Sequence, residues 1–125
     1  MSIVRPSEPE EESYGAGAQA AAISNALVQL HRHRYGKGPT KAKTYLLDDL
    51  VVCVLEGGAL RVEETLRDRG AEDVVHQVRR TFQNALEHEF RAIIERETGR
   101  RVRTFLSQFD PEDNVGAEIF FLDPV

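Results

Sequence analysis

The spacing of apolar positions switches between a helical and a strand period along the chain, and the switches predict its elements. From Ala18 to Tyr35, the residues Ile23, Ala26, Leu27 and Leu30 recur at i, i+3, i+4 and i+7, one stripe of an amphipathic helix. Arg32 and Arg34 stand near its C-terminal end, where the helix dipole favours cations. Gly36-Lys37-Gly38-Pro39 then stops it: a glycine takes the left-handed conformation without a Cβ penalty, and a proline cannot continue the helix. The period falls to two. Thr44 to Leu47 and Leu50 to Leu55 read as strands, with Asp48-Asp49 as a two-residue hairpin loop. In the second strand Val51, Cys53 and Leu55 face one way and Leu50, Val52 and Val54 the other. Both faces are apolar, so this strand is expected at the centre of a sheet, covered on both sides or covered on one side by a partner subunit. Lys41 and Lys43 alternate with Ala42 and Thr44, the pattern of an edge strand protected by charge.

Gly57-Gly58 breaks the strand, and Leu60 to Arg69 reads as a short helix with Val62 and Leu66 as its apolar pair, ended by Gly70. Ala71 to Thr98 is expected to be one long helix, with a stripe of Val75, Val78, Phe82, Leu86, Phe90, Ile93 and Ile94. Glu72 and Asp73 suit its first turn, Arg96 its last, and Gly99 closes it. Arg101 to Phe109 and Val115 to Leu122 form a second hairpin around the turn cluster Asp110-Pro111-Glu112-Asp113-Asn114. Val102, Thr104 and Leu106 alternate there with Arg103, Phe105 and Ser107, and Val115, Ala117, Ile119 and Phe121 share a face of the last strand. Helix, glycine stop and hairpin thus occur twice. The expected fold is α+β: two αββ units, joined by the short helix, form a four-stranded antiparallel sheet with amphipathic helices packed on one face. Residues 18–125 are expected to be a single domain. Before it, residues 1–17 carry Pro6, Pro9 and the acidic run Glu8, Glu10, Glu11, Glu12, and read as a disordered acidic arm.

Charge and chemistry narrow the function classes. With a net charge of −5, the chain lacks the basic surface of a nucleic-acid binder. Its one cysteine, Cys53, rules out an internal disulfide and suits the cytoplasm. No apolar run reaches the length of a membrane span, and no apolar leader is read at the N-terminus. His31 and His33 are two apart on a helix, so their side chains diverge by about 200°. His76 and His88 also fall on different sides, and all four histidines read as exposed on polar helix faces. No metal and no cofactor is expected. Cys53, mid-strand, reads as a small buried hydrophobe with a raised pKa. Glu63-Glu64, Glu87 with Glu89, and Glu95 with Glu97 read as solvated helix faces. No catalytic constellation emerges, and an enzyme is not expected. The remaining candidate is the loop of Tyr35, Gly36, Lys37, Gly38, Pro39, Thr40, Lys41 and Lys43. It reads either as a helix stop plus a charged edge strand, or as a glycine nest whose lysines hold an anion or a partner.

Leu30, the run Tyr35-Gly36-Lys37-Gly38-Pro39-Thr40-Lys41, Asp48-Asp49 and Val51-Val52 together resemble the start of the MpsC family. Val75, Val78 and Arg79, then Thr98-Gly99 with Val102, then Asp110-Pro111 leading to Phe120 and Leu122, extend the resemblance over Ala18 to Leu122. One departure lies at Ala59-Leu60-Arg61-Val62-Glu63, where the family's Leu-Thr before a Glu lacks its threonine. The resemblance implies a small protein without assigned catalytic residues, linked to a sodium-translocating, membrane-potential-generating system and to bicarbonate uptake. It implies a non-catalytic, cytosolic accessory or interaction protein in peripheral contact with a membrane transport complex. The alternative is an anion- or nucleotide-binding sensory domain using the Gly36–Lys43 loop. The surplus apolar surface on the long helix and the second strand adds the expectation of a homodimer.

Overall fold

The structure is a computed structural model; it describes the backbone of residues 10–125 and the side chains of residues 17–125. Its elements run α1 (Glu10–Arg34), β1 (Lys41–Leu47), β2 (Leu50–Glu56), α2 (Arg61–Asp68), α3 (Glu72–Ala85), α4 (Glu87–Thr98), β3 (Val102–Asp110) and β4 (Val115–Leu122). The strands form one antiparallel sheet in the order β1-β2-β4-β3, so β2 is central and the lysine-bearing β1 is an edge, as the sequence pattern requires. The fold is the expected α+β sandwich. Helix α1 begins at Glu10, ahead of the apolar stripe, and the acidic arm expected over 1–17 lies largely outside the described residues.

Ile23 and Leu27 of α1 are fully buried against Val51, Cys53 and Leu55 of β2, Phe90, Ile93 and Ile94 of α4, and Phe120 and Leu122 of β4. Side chains of this kind contribute about 1.5–3 kcal/mol each when buried. A smaller cluster of Ala59, Val75 and Phe109, flanked by Leu66, seals the other end. The long helix expected over Ala71 to Thr98 is in fact two. Leu86, at φ −108° and ψ 14°, ends α3 and starts α4, although its N–H still bonds Phe82 O at 3.1 Å and its own carbonyl accepts from Phe90 N at 3.0 Å. The bend lets Val75 reach the small cluster while Phe90, Ile93 and Ile94 enter the main core. Val78 is left 46% exposed. In α2 the expected pair is also corrected: Leu66 packs inward, but Val62 is exposed and Glu63 takes the buried position.

The register sorts each strand into two faces. A bulge between Val102 and Thr104 turns both Val102 and Phe105 toward the helices, so Val102 does not share a face with Thr104 and Leu106. Inside, the cross-sheet row Leu46, Val51, Phe120 and Phe105 is apolar, and Phe105 stacks between Phe90 at 5.0 Å and Phe120 at 4.9 Å. The next inner row, Thr44, Cys53, Glu118 and Ser107, is polar. Outside, the rows Tyr45, Val52, Ile119, Leu106 and Leu47, Leu50, Phe121, Thr104 make an apolar surface. No described helix covers it, so β2 is covered on one side only. Tyr45, Leu47 and Leu106 are exposed there by 45%, 53% and 51%.

Two glycines hold the loops at one end of the sheet. Gly36 has φ 105° and donates to His31 O at 3.1 Å, which ends α1. Gly57 has φ 80°, and a Cβ there would stand 2.2 Å from Thr40 Oγ1. Gly36→Ala is expected to cost about 1 kcal/mol, for backbone strain alone, and Gly57→Ala at least about 3 kcal/mol, because strain and overlap add. Urea melts of both variants measure the difference, and a Thr40→Ala background should recover part of the Gly57→Ala loss. Equal costs for the two glycine variants would contradict the close approach of Gly57 to Thr40.

Candidate functional site

The residues singled out in the sequence scatter over three surfaces. Tyr35 turns inward at the end of α1, and Pro39 is buried. Gly38 packs against α1, where a Cβ would meet Val28 O at 3.1 Å. Lys37 Nζ donates to Ala59 O at 3.2 Å, tying this loop to the one before α2. Thr40 Oγ1 donates to Glu56 O at 3.2 Å. Lys41 and Lys43 stand exposed on the outer face of the edge strand, with Lys43 Nζ 5.6 Å from the Tyr45 ring. The loop therefore turns Tyr35, Gly38 and Pro39 inward, leaves Gly36 exposed and sends its lysines apart.

What converges instead is a buried polar cluster. Arg79 of α3 donates to Glu63 through both nitrogens of its fork, Nε at 2.6 Å and Nη2 at 2.7 Å, and Nη2 also reaches Gly58 O at 3.1 Å. The Tyr35 hydroxyl donates to the same carboxylate. The guanidinium lies 4.2 Å over the Tyr35 ring and 3.8 Å over the Phe109 ring, so its flat faces are covered by aromatic carbon. Glu63 Oε1 also accepts Leu60 N–H at 2.8 Å, half of a capping box on a helix whose N-cap residue, Leu60, has no side chain that can cap. Burial alone would raise the Glu63 pKa, but the bonds from Arg79, Tyr35 and Leu60 outweigh it and hold the carboxyl below its ordinary value. Burial, with the hydrogen bond to Glu63, pushes the Tyr35 phenol well above its ordinary value. Asn114, at φ 57°, pins the same corner: its Oδ1 accepts from Ala59 N at 3.0 Å and its carbonyl from Gly57 N at 3.0 Å.

A second polar group lies under the first. His31, expected at the surface, is 3% exposed, with Nδ1 2.8 Å from Leu27 O and Nε2 3.6 Å from Glu118 Oε2. Phe82 and Phe90 flank its ring at 5.8 and 5.6 Å. Gln83 Nε2 lies 3.5 Å from Glu118 Oε2. Farther along the polar row, the Ser24 and Thr44 hydroxyls pair at 2.8 Å. Burial pushes the neighbouring Cys53 thiol up to about 11, against the pull of Thr44. Glu63 and His31 thus correct the reading of both as solvated. The helical period carried a signal for His31, which follows Ile23 and Leu27 at i+8 and i+4. Arg79 likewise follows the buried Val75 at i+4. No set of three or more His, Cys, Asp or Glu able to hold a metal ion is found among the described residues.

Because the Glu63 carboxyl titrates below its ordinary value, its charge adds stability above the unfolded carboxyl pKa, and that stability is lost as pH falls through the folded pKa. Glu63→Gln should therefore lower stability at pH 7 and flatten its fall with acid. Arg79→Ala should cost about 3–5 kcal/mol, because it leaves a buried carboxylate unpaired. Urea melts from neutral to acid pH measure both effects; a wild-type acid slope retained in Glu63→Gln would contradict the assignment.

Against known proteins, neither a curated protein nor a solved structure matches the chain. Residues 16–124 match the family model described as MpsC, Na+-translocating membrane potential-generating system. That match spans nearly the whole chain and includes both buried polar groups, the glycine loop and the open sheet face. The chain belongs to the MpsC family.

Proposed function

We propose that the chain is a non-catalytic, cytoplasmic accessory protein of the membrane-potential-generating system for which its family is named. It works as a homodimer that touches the membrane complex from the side. The observation that carries this reading is the open sheet face. Val52, Ile119, Leu106 and Tyr45 form one cross-sheet row and Leu50, Phe121 and Leu47 the next, an apolar area of the kind that marks a docking surface. Its far end carries Lys41, Glu56 and Asp110 in one row, a polar rim of mixed sign. Closed twofold symmetry lets one such patch cover its own copy. No described helix is long and apolar enough to cross a membrane, so the reading gives this chain a peripheral contact.

The absence of a catalytic role in this reading rests on what the reactive groups already do. Glu63 balances Arg79, and the Cys53 thiol, at about 11, is buried and protonated at neutral pH. The alternative, an anion held by the Gly36–Lys43 loop, has weaker support. Lys37 is bonded to a carbonyl, and Lys41 and Lys43 lie on the far side of the sheet from the buried Pro39.

Light scattering should give twice the chain mass at micromolar concentration. Ile119→Glu should give a folded monomer whose melting temperature, unlike the parent's, does not rise with protein concentration, because the side chain lies on the outer face of the sheet. A pull-down from native membranes in mild detergent should recover a membrane protein of the system. A monomeric parent protein would contradict the homodimer, and recovery of no membrane partner would contradict the accessory role.

A further inference from the structure

The sheet register leaves one row of backbone groups without partners. Leu47 and Leu50 flank the two-residue turn and bond each other. Antiparallel pairs alternate between bonded and unbonded, so Leu50, Val52 and Val54 turn their backbone groups toward β1, and Val51, Cys53 and Leu55 toward β4. Their partners Phe120, Glu118 and Gly116 are thereby committed to β2. The Leu122 N–H, which donates to Asp49 O at 2.8 Å, keeps the same phase. Phe121, Ile119 and Ala117 remain for β3 and bond Thr104, Leu106 and Gln108. Phe105, Ser107 and Phe109 therefore direct their N–H and C=O groups outward, at the free edge of the sheet.

The start of that edge is closed by side chains of α4. Glu95 Oε2 accepts from Val102 N at 2.8 Å, and Arg91 Nη1 donates to Val102 O at 2.8 Å. No such bond to the backbone of Phe105, Ser107 or Phe109 is found among the described residues. The opposite edge differs: β1 carries Lys41 and Lys43, a charge that guards it against pairing.

A cleft of about 80 Å³ separates this open stretch from α3. Phe105, Ser107 and Phe109 form one wall; His76, Arg80 and Asn84, at i, i+4 and i+8 of the helix, form the other. Arg79 and Glu87 also line it, but each is already answered, Arg79 by Glu63 and Glu87 by Arg91. Arg80 is exposed and has no ion pair among the described residues, so the cleft keeps a net positive charge. The Ser107 Oγ is buried in its wall without a hydrogen-bond partner, and a hydroxyl can donate to a carboxylate.

We propose that the free edge of β3 takes an extended acidic segment of a partner protein as a fifth strand. Its backbone pairs with Phe105, Ser107 and Phe109, and its alternate side chains fall on the two faces of the sheet. Those turned inward are carboxylates, which meet Arg80, His76 and the Ser107 hydroxyl in the cleft. Those turned outward are apolar and continue the outer row past Leu106, which is 51% exposed. A second copy does not fit the edge. Neither β1 nor the stretch from Phe105 to Phe109 contains a carboxylate, and pairing two β3 edges would set one Arg80-lined cleft against another. The site goes beyond the proposed dimer, since it uses the edge of the sheet and not its outer face.

The probe is a fluorescent peptide of alternating valine and glutamate, seven residues long, titrated into the full chain. It should bind, and amide exchange followed by NMR should slow at Phe105, Ser107 and Phe109. The same peptide with lysine in place of glutamate should not bind. Two further copies carry N-methyl groups, one on every glutamate and one on every valine. One of them should lose binding, and which one it is reports the direction of the added strand. Arg80→Glu, at an exposed helix position, should leave the fold intact and raise the Kd at least about tenfold. The proposal is overturned if the acidic peptide does not bind, or if the lysine peptide or both methylated peptides bind equally well. Unchanged binding by Arg80→Glu overturns it too, as does slowed exchange at Ala42, Thr44 and Leu46 of β1 in place of the β3 amides.

Discussion

A guanidinium sealed between two layers must be answered where it lies, and most of this molecule's loop structure follows from answering Arg79. Its charge is matched by Glu63, its third bond goes to the Gly58 carbonyl, and its faces are covered by Tyr35 and Phe109. Those partners come from α2, the loop before it, the end of α1 and β3, so one side chain sets where four segments meet. Removing either charge would strand the other, which makes the cluster a demanding constraint rather than a large net source of stability. The pair also explains how α2, which has no side-chain cap, starts at Leu60: the Arg79-bound carboxylate reaches back to the Leu60 N–H.

All the described helices lie on one side of the sheet, and this has opposite consequences for its two faces. On the inner face, apolar rows surround a polar one, and the cost of burying Glu118 and its neighbours is tolerable only if each polar atom finds a partner. On the outer face, Val52, Ile119 and Phe121 have no helix to meet. A central strand that is apolar on both sides is economical only when something covers the second side. A family tied by its description to a sodium-translocating membrane system supplies the setting in which a small domain with such a face is useful.

The sequence disclosed the fold well because its signals were local. The Gly36 and Gly99 stops, the Asp48-Asp49 turn and the lysines of the edge strand each depend on a few neighbouring residues, and the structure has Gly36 at φ 105° and Gly99 at φ 70°. The bend at Leu86 was hidden because the apolar stripe runs through it unbroken, and only the need to pack α3 and α4 on different partners reveals it. The bulge after Val102 left no turn residue to mark it. The polar clusters were harder still. Glu63 and Arg79 are 16 residues apart, and nothing in either local pattern pairs them. Glu118 alternates with Phe120 and Leu122, while Ile119 and Phe121 make an equally apolar opposite face, so its charge argued for the wrong side.

If a second copy covers the open sheet face, as proposed, an intermolecular distance across that face reports it. Lys43 is exposed at the polar end of that face, and the native Cys53 is buried, so Lys43→Cys can be labelled selectively with a nitroxide. Pulsed dipolar spectroscopy on the labelled chain should show a single well-defined distance between two labels, lost on dilution with an excess of unlabelled protein. A trace with no intermolecular coupling at a concentration where the protein is folded would contradict the account.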